Sequence, residues 1–435
     1  MSNHSIQRLM YNGLVVPLAY GLFPAAARMN AKLREAIDGR RNIRWRWSGG
    51  AARLTARPIW FHVSSVGEYE QARPVIGDIE RRYPEIPVAV TFSSPSGLGY
   101  ATNQERRNGA GNVGFIDYLP LDSLGNARFC LATLEPRLLV FVKFDLWPNL
   151  IWEARTRGTS TILIDATLSE SSYRFKALGR RFYRAVYDGL DRILAISERD
   201  ARRFLACVPD HRGISVAGDT RFDRVMERKR NHLRSADPFE KGGRTVVLAG
   251  STWPKDEARL LPALARLAAA EKSLLLVIAP HEPEAERVAG LTHWARSQGL
   301  ETTTWKHRHS LSPASGRNQV LIMDTVGVLA EAYAMADIAY IGGSFSTGVH
   351  SVIEPAVMGI PVVFGPVHRN SFEAIRLVEE GAAFAVHNAV GMCDTLSSLV
   401  RDRNARAGAG ARARAYVESQ CGATQRCMEV ISSYL

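Results

Sequence analysis

Five cysteines stand in the 435 residues, Cys130, Cys207, Cys393, Cys421 and Cys427, an odd number with no C-x-x-C pair. Neither a disulfide framework nor a zinc site is expected, and a reducing compartment fits best. The 11 histidines hold no H-x-x-x-H spacing and no D-x-D triplet occurs, so a catalytic metal has no obvious home and none is expected. Missing too are a G-x-S-x-G elbow and a Walker loop, which argues against an α/β hydrolase and a P-loop NTPase. No internal repeat or low-complexity tract is evident, and a composition 46% hydrophobic and 23% charged is that of a folded chain.

What is present exceeds one ordinary core, so two domains are the default. The 55 Lys+Arg against 43 Asp+Glu give a net charge of +12, which points to an anionic partner. No aromatic-interleaved basic motif occurs, so nucleic acid is not expected among the partners. From Leu9 to Ala27 the chain carries no charge, but Asn12, Gly13, Pro17, Gly21 and Pro24 make it a poor continuous spanning helix. Directly after come Arg28, Lys32, Arg34, Arg40, Arg41, Arg44, Arg46, Arg53 and Arg57 against only Glu35 and Asp38. An apolar stretch followed by a cationic one suits a shallow anchor facing anionic headgroups. A cleaved signal peptide, a spanning helix and a buried core helix are the other readings of residues 9 to 27.

Short apolar runs alternate with amphipathic stretches along nearly the whole chain, the α/β pattern of parallel strands covered by helices. Strands are expected at 58–63, 87–92, 137–143, 160–166 and 192–197, then at 245–251, 273–280, 319–324, 338–344 and 360–366. Residues 223–244 are polar and charged, with Pro238 and Gly242-Gly243, and read as a linker. Two doubly wound domains joined there would leave a cleft at the carboxyl ends of their strands, where open α/β folds bind ligands.

Polar residues cluster at those strand ends. In the second half, Gly342, Gly343 and Gly348 would allow close backbone approach, a helix beginning near His350 would aim its N–H groups at a phosphate, and Glu354 could accept both hydroxyls of a ribose. In the first half, "SSVGEYE" (64–70) has Gly67 for a tight turn and Glu68 at a helix start, where an acid often does no more than cap. Lys143 and Asp145, beside Trp147, read as a surface ion pair or as polar site residues.

In order along the chain, "VSSVGE", "YLPLD", "DLWPN", "GDTRFD", "AGST", "DTVGVL", "YAMADIAYIGGSF", "HSVIEPAVMGIPVVFGP" and Asn370 resemble bacterial 3-deoxy-D-manno-octulosonic acid (Kdo) transferases of lipid A biosynthesis, from about residue 5 to beyond residue 375. The resemblance implies a GT-B glycosyltransferase fold, α/β with two Rossmann-like domains facing a central cleft. Its parts would be an anchor over 1–30, an acceptor-binding domain over 31–222, the linker 223–244 and a CMP-sugar domain over 245–435, the last helix packing back on the first domain. It implies an inverting, metal-independent transfer of Kdo from CMP-Kdo to the 6'-hydroxyl of lipid IVA, with no cofactor, at the cytoplasmic face of the inner membrane.

Carried over by position, Glu68 matches the general base and Arg221 stands where many members have a lysine that stabilises the transition state. Lys143 and Asp145 occupy two acidic positions of the family, Lys143 reversing the first charge. Donor contacts would come from Gly250, Ser251, Thr252, Pro280, His281, Val326, Gly327, Val328, Leu329, Ser344, Ser351, Val352, Ile353, Glu354 and Asn370. "PHEPE" replaces the family's "PRHPE", so His281 or a nearby cation must serve for the phosphate-binding arginine; Val328 and Ser351 replace Glu and Asn. Another GT-B sugar transferase, a nucleotide-sugar epimerase and a non-catalytic basic membrane-binding protein are the alternatives.

Overall fold

A computed structural model describes residues 5–108, 113–170, 172–175, 177–232, 241–311 and 317–435. The chain divides into two compact units, Met1–Arg224 with Cys421–Leu435, and Val225–Gln420.

The first unit is built on seven parallel strands: β1 (Ile59–Val63), β2 (Val88–Phe92), β3 (Val113–Tyr118), β4 (Leu138–Val142), β5 (Ser160–Ala166), β6 (Arg192–Ala195) and β7 (Ile214–Val216), in the order β3-β2-β1-β4-β5-β6-β7. Central strands such as "IWFHV" and "LLVFV" are buried at every residue because helices cover both faces of the sheet. Alternate side chains then feed two cores. Trp60, Leu139, Phe141 and Leu163 enter one, and Ile59, Phe61, Val140 and Ile162 the other.

The second unit repeats the plan with β8 (Thr245–Thr252), β9 (Leu274–Pro280), β10 (Glu301–Thr304), β11 (Gln319–Ile322), β12 (Ile338–Ile341), β13 (Val362–Phe364) and β14 (Ala383–Ala385), ordered β10-β11-β9-β8-β12-β13-β14. In each sheet the strand order reverses beside its first strand, between β1 and β4 and between β8 and β12. Loops leaving the carboxyl ends of those neighbouring strands diverge, which opens a crevice suited to a ligand.

Residues 223–232, expected as linker, belong instead to a helix, Thr220–His232. Charge made the segment look like a connector, but Glu, Lys and Arg are good helix formers and Lys229 buries its ammonium on the carbonyl of Val357 at 2.6 Å. Of the expected linker, 233–240 lie outside the described residues, and Gly242 and Gly243 both take positive φ before β8. The tail groups with the first unit: Asp223 caps the helix Ala423–Ile431 by accepting from the N–H of Gly422 and of Thr424, and Cys427, Met428 and Ile431 enter the core of β1 and β4.

At the other end, Ser5–Met10 is α-helical, Tyr11–Val15 a π turn and Val16–Met29 α-helical again. The 25-residue run Ser5–Met29 is long and apolar enough to cross a membrane, and 6% of its most apolar window is buried in the protein. Its prolines do not break it: Pro17 follows closely on the π turn and Pro24 lies inside the second α-segment, yet the helical run continues through both.

Candidate active site

In the first unit the crevice is made by the loops after β1 and β4. After β1, Ser65 caps the helix Val66–Arg82, its Oγ accepting from the N–H of Glu68 at 3.3 Å. The Glu68 carboxylate turns back beyond the cap: Oε2 accepts from Ser64 N–H and from Ser64 Oγ at 2.6 Å. Oε1 has no hydrogen bond among the described residues. Burial raises the Glu68 pKa against the opposing pull of the Ser64 bonds, the charge of Asp145 adding to the rise. Gly67 makes no tight turn, contrary to expectation. It lies within the helix, where a Cβ would meet only Ser65 Oγ at 3.9 Å, so glycine keeps the ground beside Glu68 bare.

The loop after β4 begins with Lys143 at φ 66°, a left-handed conformation unfavourable for a side chain of this size. Its N–H is held by the Ile164 carbonyl at 2.9 Å and its Nζ lies 5.4 Å from the centre of the Phe144 ring. Lys143 and Asp145 are not a surface ion pair. Asp145 Oδ2 instead gathers His62 Nε2 at 3.2 Å, Ser93 Oγ at 2.8 Å and Trp147 Nε1 at 3.3 Å. His62 is fully buried on β1, and its Nδ1 meets Thr91 Oγ1 at 2.9 Å, which also accepts from Trp60 Nε1. Burial alone would raise the Asp145 pKa; the bonds from His62, Ser93 and Trp147 overturn it and hold the carboxylate below its usual range.

Arg221 is clasped by Asp219, which accepts from Nε at 2.9 Å and from Nη2 at 2.6 Å. The preceding Thr220 donates its N–H to Asp165 Oδ1 at 2.8 Å, and its Oγ1 lies 2.6 Å from Asp165 Oδ2 and 2.7 Å from the Gln71 carbonyl. One hydroxyl hydrogen cannot serve two acceptors, so the arrangement is complete when Asp165 carries a proton and donates to Thr220. Burial, with Asp219 nearby, pushes the Asp165 pKa up to about 7.

In the second unit β8 and β12 end side by side. Ser251 takes φ 54°, and a Cβ on Gly342 would stand 2.1 Å from the Ser251 carbonyl oxygen. Gly348 takes φ 127° against the Asn370 amide. The glycines therefore admit the expected close backbone approach, here of the chain to itself. Asp256 holds the loop together, accepting from the N–H groups of Gly343 at 2.8 Å, Phe345 at 3.2 Å and Trp253 at 3.0 Å, and from Tyr340 Oη at 3.0 Å.

This arrangement sorts the expected donor contacts. Ser344 is fully buried and its Oγ accepts from Gly365 N–H while donating to the Ile341 carbonyl, so its side chain supports the loop. Thr252 is likewise buried, donating to Glu257 at 2.7 Å. Gly250, Pro280, Val352 and Ile353 are buried as well, and Asn370 locks both backbone groups of Val349. The helix expected near His350 begins at Ile353. Ser251, Val326, Gly327, Val328, Leu329, Ser351 and Glu354 keep exposed or half-buried surface, Glu354 with Arg228 at 3.6 Å.

His281 is exposed and lies flat across two rings, 4.6 Å from Trp253 and 4.7 Å from His350 between ring centres. Those two rings meet edge to edge, Trp253 Nε1 donating to His350 Nε2 at 2.9 Å. That bond needs an unprotonated Nε2, and burial, then His281, lower the His350 pKa in the same sense. The sequence motifs alone do not point to His62, Asp165, Trp253 or Asp256, although His62 and Asp165 had one signal, a charged or polar residue within an apolar strand run.

A family model described as "3-Deoxy-D-manno-octulosonic-acid transferase (kdotransferase)" matches residues 39–224. The chain is 30% identical over 397 residues to a 3-deoxy-D-manno-octulosonic acid transferase of Bordetella pertussis, covering 87% of this chain and 88% of that one. Against the transferase of the same description from Chlamydia pneumoniae, identity is 28% over 389 residues, 87% of this chain and 85% of that one. Among solved structures, a UDP-GlcNAc 2-epimerase from Neisseria meningitidis bound to UDP-GlcNAc aligns with a TM-score of 0.56 at 13% identity, over 86% of this chain and 100% of that structure. A glycosyltransferase from Rickettsia africae aligns with a TM-score of 0.53 at 12% identity, over 87% and 98%. At such identities the likeness shows the fold, which is of GT-B type.

Proposed function

The chain belongs to the 3-deoxy-D-manno-octulosonic acid (Kdo) transferase family, a family of glycosyltransferases, and from that premise we propose that it moves Kdo from CMP-Kdo to the 6'-hydroxyl of lipid IVA with inversion. The observation that carries this reading is the Glu68 carboxylate at the β1 carboxyl end, held through one oxygen by Ser64 and open at the other. Such a group can take the proton of an acceptor hydroxyl, and a pKa raised by burial makes it a stronger base than an ordinary surface glutamate.

In the proposed step the acceptor oxygen bonds to the anomeric carbon as its proton passes to Glu68. The bond from that carbon to the phosphate oxygen breaks, and CMP leaves with the electron pair. Lys143, Arg221 and ionised Asp145 are the first unit's charges for an oxocarbenium-like state and its departing anion. The second unit would take the nucleotide, with Ser251, His281, Ser351 and Glu354 as its accessible polar groups. His281 or a nearby cation stands in for the arginine of the family motif at the phosphate. No metal or cofactor is among the groups the reading needs. The Ser5–Met29 helix would rest on the inner membrane at its cytoplasmic face.

The test is purified protein with CMP-Kdo generated in situ and lipid IVA, the products weighed by mass spectrometry. A Kdo-dependent gain in mass that Glu68→Gln abolishes is expected; no gain, or full turnover by a folded Glu68→Gln, would sink the proposal.

A further inference from the structure

Two residues of the N-terminal helix do not suit a lipid anchor. Tyr11 and Asn12 interrupt an apolar segment, and an amide facing hydrocarbon is costly. Both lie on the half-buried face, whereas Leu9, Leu14 and Leu18 point away from the protein. The helix changes to its wide π form at Tyr11, a distortion frequent at functional sites.

Their partners come from two sequence motifs, "YLPLD", which the proposed chemistry leaves unused, and "DLWPN", of which it uses only Asp145. Tyr11 Oη donates to Asp122 Oδ2 at 2.9 Å. The amides of Asn12 and Asn149 bond reciprocally, Asn12 Nδ2 to Asn149 Oδ1 at 2.8 Å and Asn149 Nδ2 to Asn12 Oδ1 at 3.0 Å. Asp122 meanwhile caps the helix Pro148–Thr156, accepting from the N–H of Asn149 at 3.0 Å and of Leu150 at 3.3 Å, and its own carbonyl accepts from Asn149 Nδ2 at 3.1 Å. Trp147, the residue at the cap position, supplies no side-chain bond to that helix; its Nε1 is given to Asp145.

The segment 143–149 is thus fixed at one end by Lys143 N–H on Ile164 and at the other by Asp122 and Asn149, and the second fixing is completed by the N-terminal helix. We propose that Tyr11 and Asn12 are positioning residues of the active site, setting the Lys143–Asp145 loop through Asp122 and Asn149. The helix that faces the membrane on one side would then seat the catalytic loop on the other. This rests on the proposed transfer reaction, and its failure can be told from failure of that reading.

The experiment compares Asn12→Ala, Asn149→Ala, their double variant, Tyr11→Phe and the outward-facing Leu14→Gln, assayed with CMP-Kdo and lipid IVA in detergent micelles, where tethering to a bilayer plays no part. Asn12→Ala and Tyr11→Phe should each lower kcat on the order of tenfold, as small misplacements of reacting groups do, with KM for CMP-Kdo unchanged. The double variant should lose no more than the worse single one, because the two amides form one pair. Leu14→Gln should turn over as the wild type. Tyr11→Phe keeps the ring packed 5.8 Å from Trp152 and 5.5 Å from Phe182, so its fold should stand, checked by an unchanged Tm. Wild-type kcat in both Asn12→Ala and Tyr11→Phe, additive losses in the double variant, or a loss confined to Tm would overturn the assignment. If the wild type itself transfers no Kdo, the reaction proposed above is what has failed.

Discussion

Glu68 takes part in both of the roles open to an acid in a first helical turn. It bonds the backbone of the preceding segment, as a capping acid does, yet with one oxygen only. Replacement by Gln keeps the shape and removes the base, so kcat should fall by roughly 10²–10⁴ with the circular dichroism unchanged. A base works when ionised, and burial raises this pKa, so the acid limb of kcat/KM should lie above that of an exposed glutamate and activity should climb with pH across it. Ser64→Ala takes away a hydrogen bond that favours the charged form, and a pH–rate profile should show the limb moved further up; a downward shift would contradict the role given to Ser64. Glu68 stands out as a candidate in the sequence because an ordered motif surrounds it. His62 and Asp256 do not, since their roles depend on partners far away in sequence, Asp145 and the Gly343 loop. The structural bonds of Ser344 were hidden for the same reason: its hydroxyl meets Gly365, twenty-one residues on.

The strands show where sequence pattern ends as a guide. Each strand that the apolar runs left out, β3, β7, β10 and β14, is an edge of its sheet. An edge strand has one neighbour and less cover, so its residues need not be continuously apolar; β10 reads "ETTT" and β7 "ISV", neither fully buried. Interior strands must be apolar on both faces, which is why β1, β4, β8 and β9 were plain to see. Strain at strand ends was invisible in the sequence, and Lys143 offers a test of it. Held at φ 66°, it stores about 1 kcal/mol or more that glycine would not. Lys143→Gly should therefore leave Tm level or slightly higher while lowering Kdo transfer; a lower Tm would show the backbone to be unstrained. Asp165 makes the matching case for a buried acid. Its pKa, raised to about 7, means that the folded chain binds a proton the unfolded chain has released above about pH 4. Stability from this group is complete below pH 4 and is lost as pH rises through about 7. Asp165→Asn, permanently neutral, should flatten that decline, so Tm curves for the two proteins should diverge between about pH 4 and 7, by roughly 2–4 °C for each kcal/mol involved, and run parallel above.

For the whole chain, the net charge of +12 turns out to serve several purposes. Within the cationic stretch after the apolar helix, Arg40 is drawn inside to donate to the carbonyls of Leu119 and Ser93, and Arg46 makes a two-pronged pair with Asp117. These two are structural arginines that composition could not distinguish from surface ones. Arg28, Lys32 and Arg53 stay exposed, and Leu9, Leu14, Leu18 and Leu22 of the N-terminal helix are each more than half exposed. Coulombic attraction to an anionic bilayer is screened by salt, whereas burial of leucine in lipid is not. Vesicle flotation should therefore resolve two components of binding. Raising salt from 0.1 to about 0.5 M should weaken attachment to anionic vesicles and leave a remainder equal to that on zwitterionic ones. Replacing the four leucines by glutamine should remove that remainder. With each leucine half in contact with lipid and worth about 1 kcal/mol, the four together amount to a roughly 10³-fold loss in partitioning. Flotation of the fourfold variant at the wild-type level in high salt would show that the apolar face meets something other than a membrane.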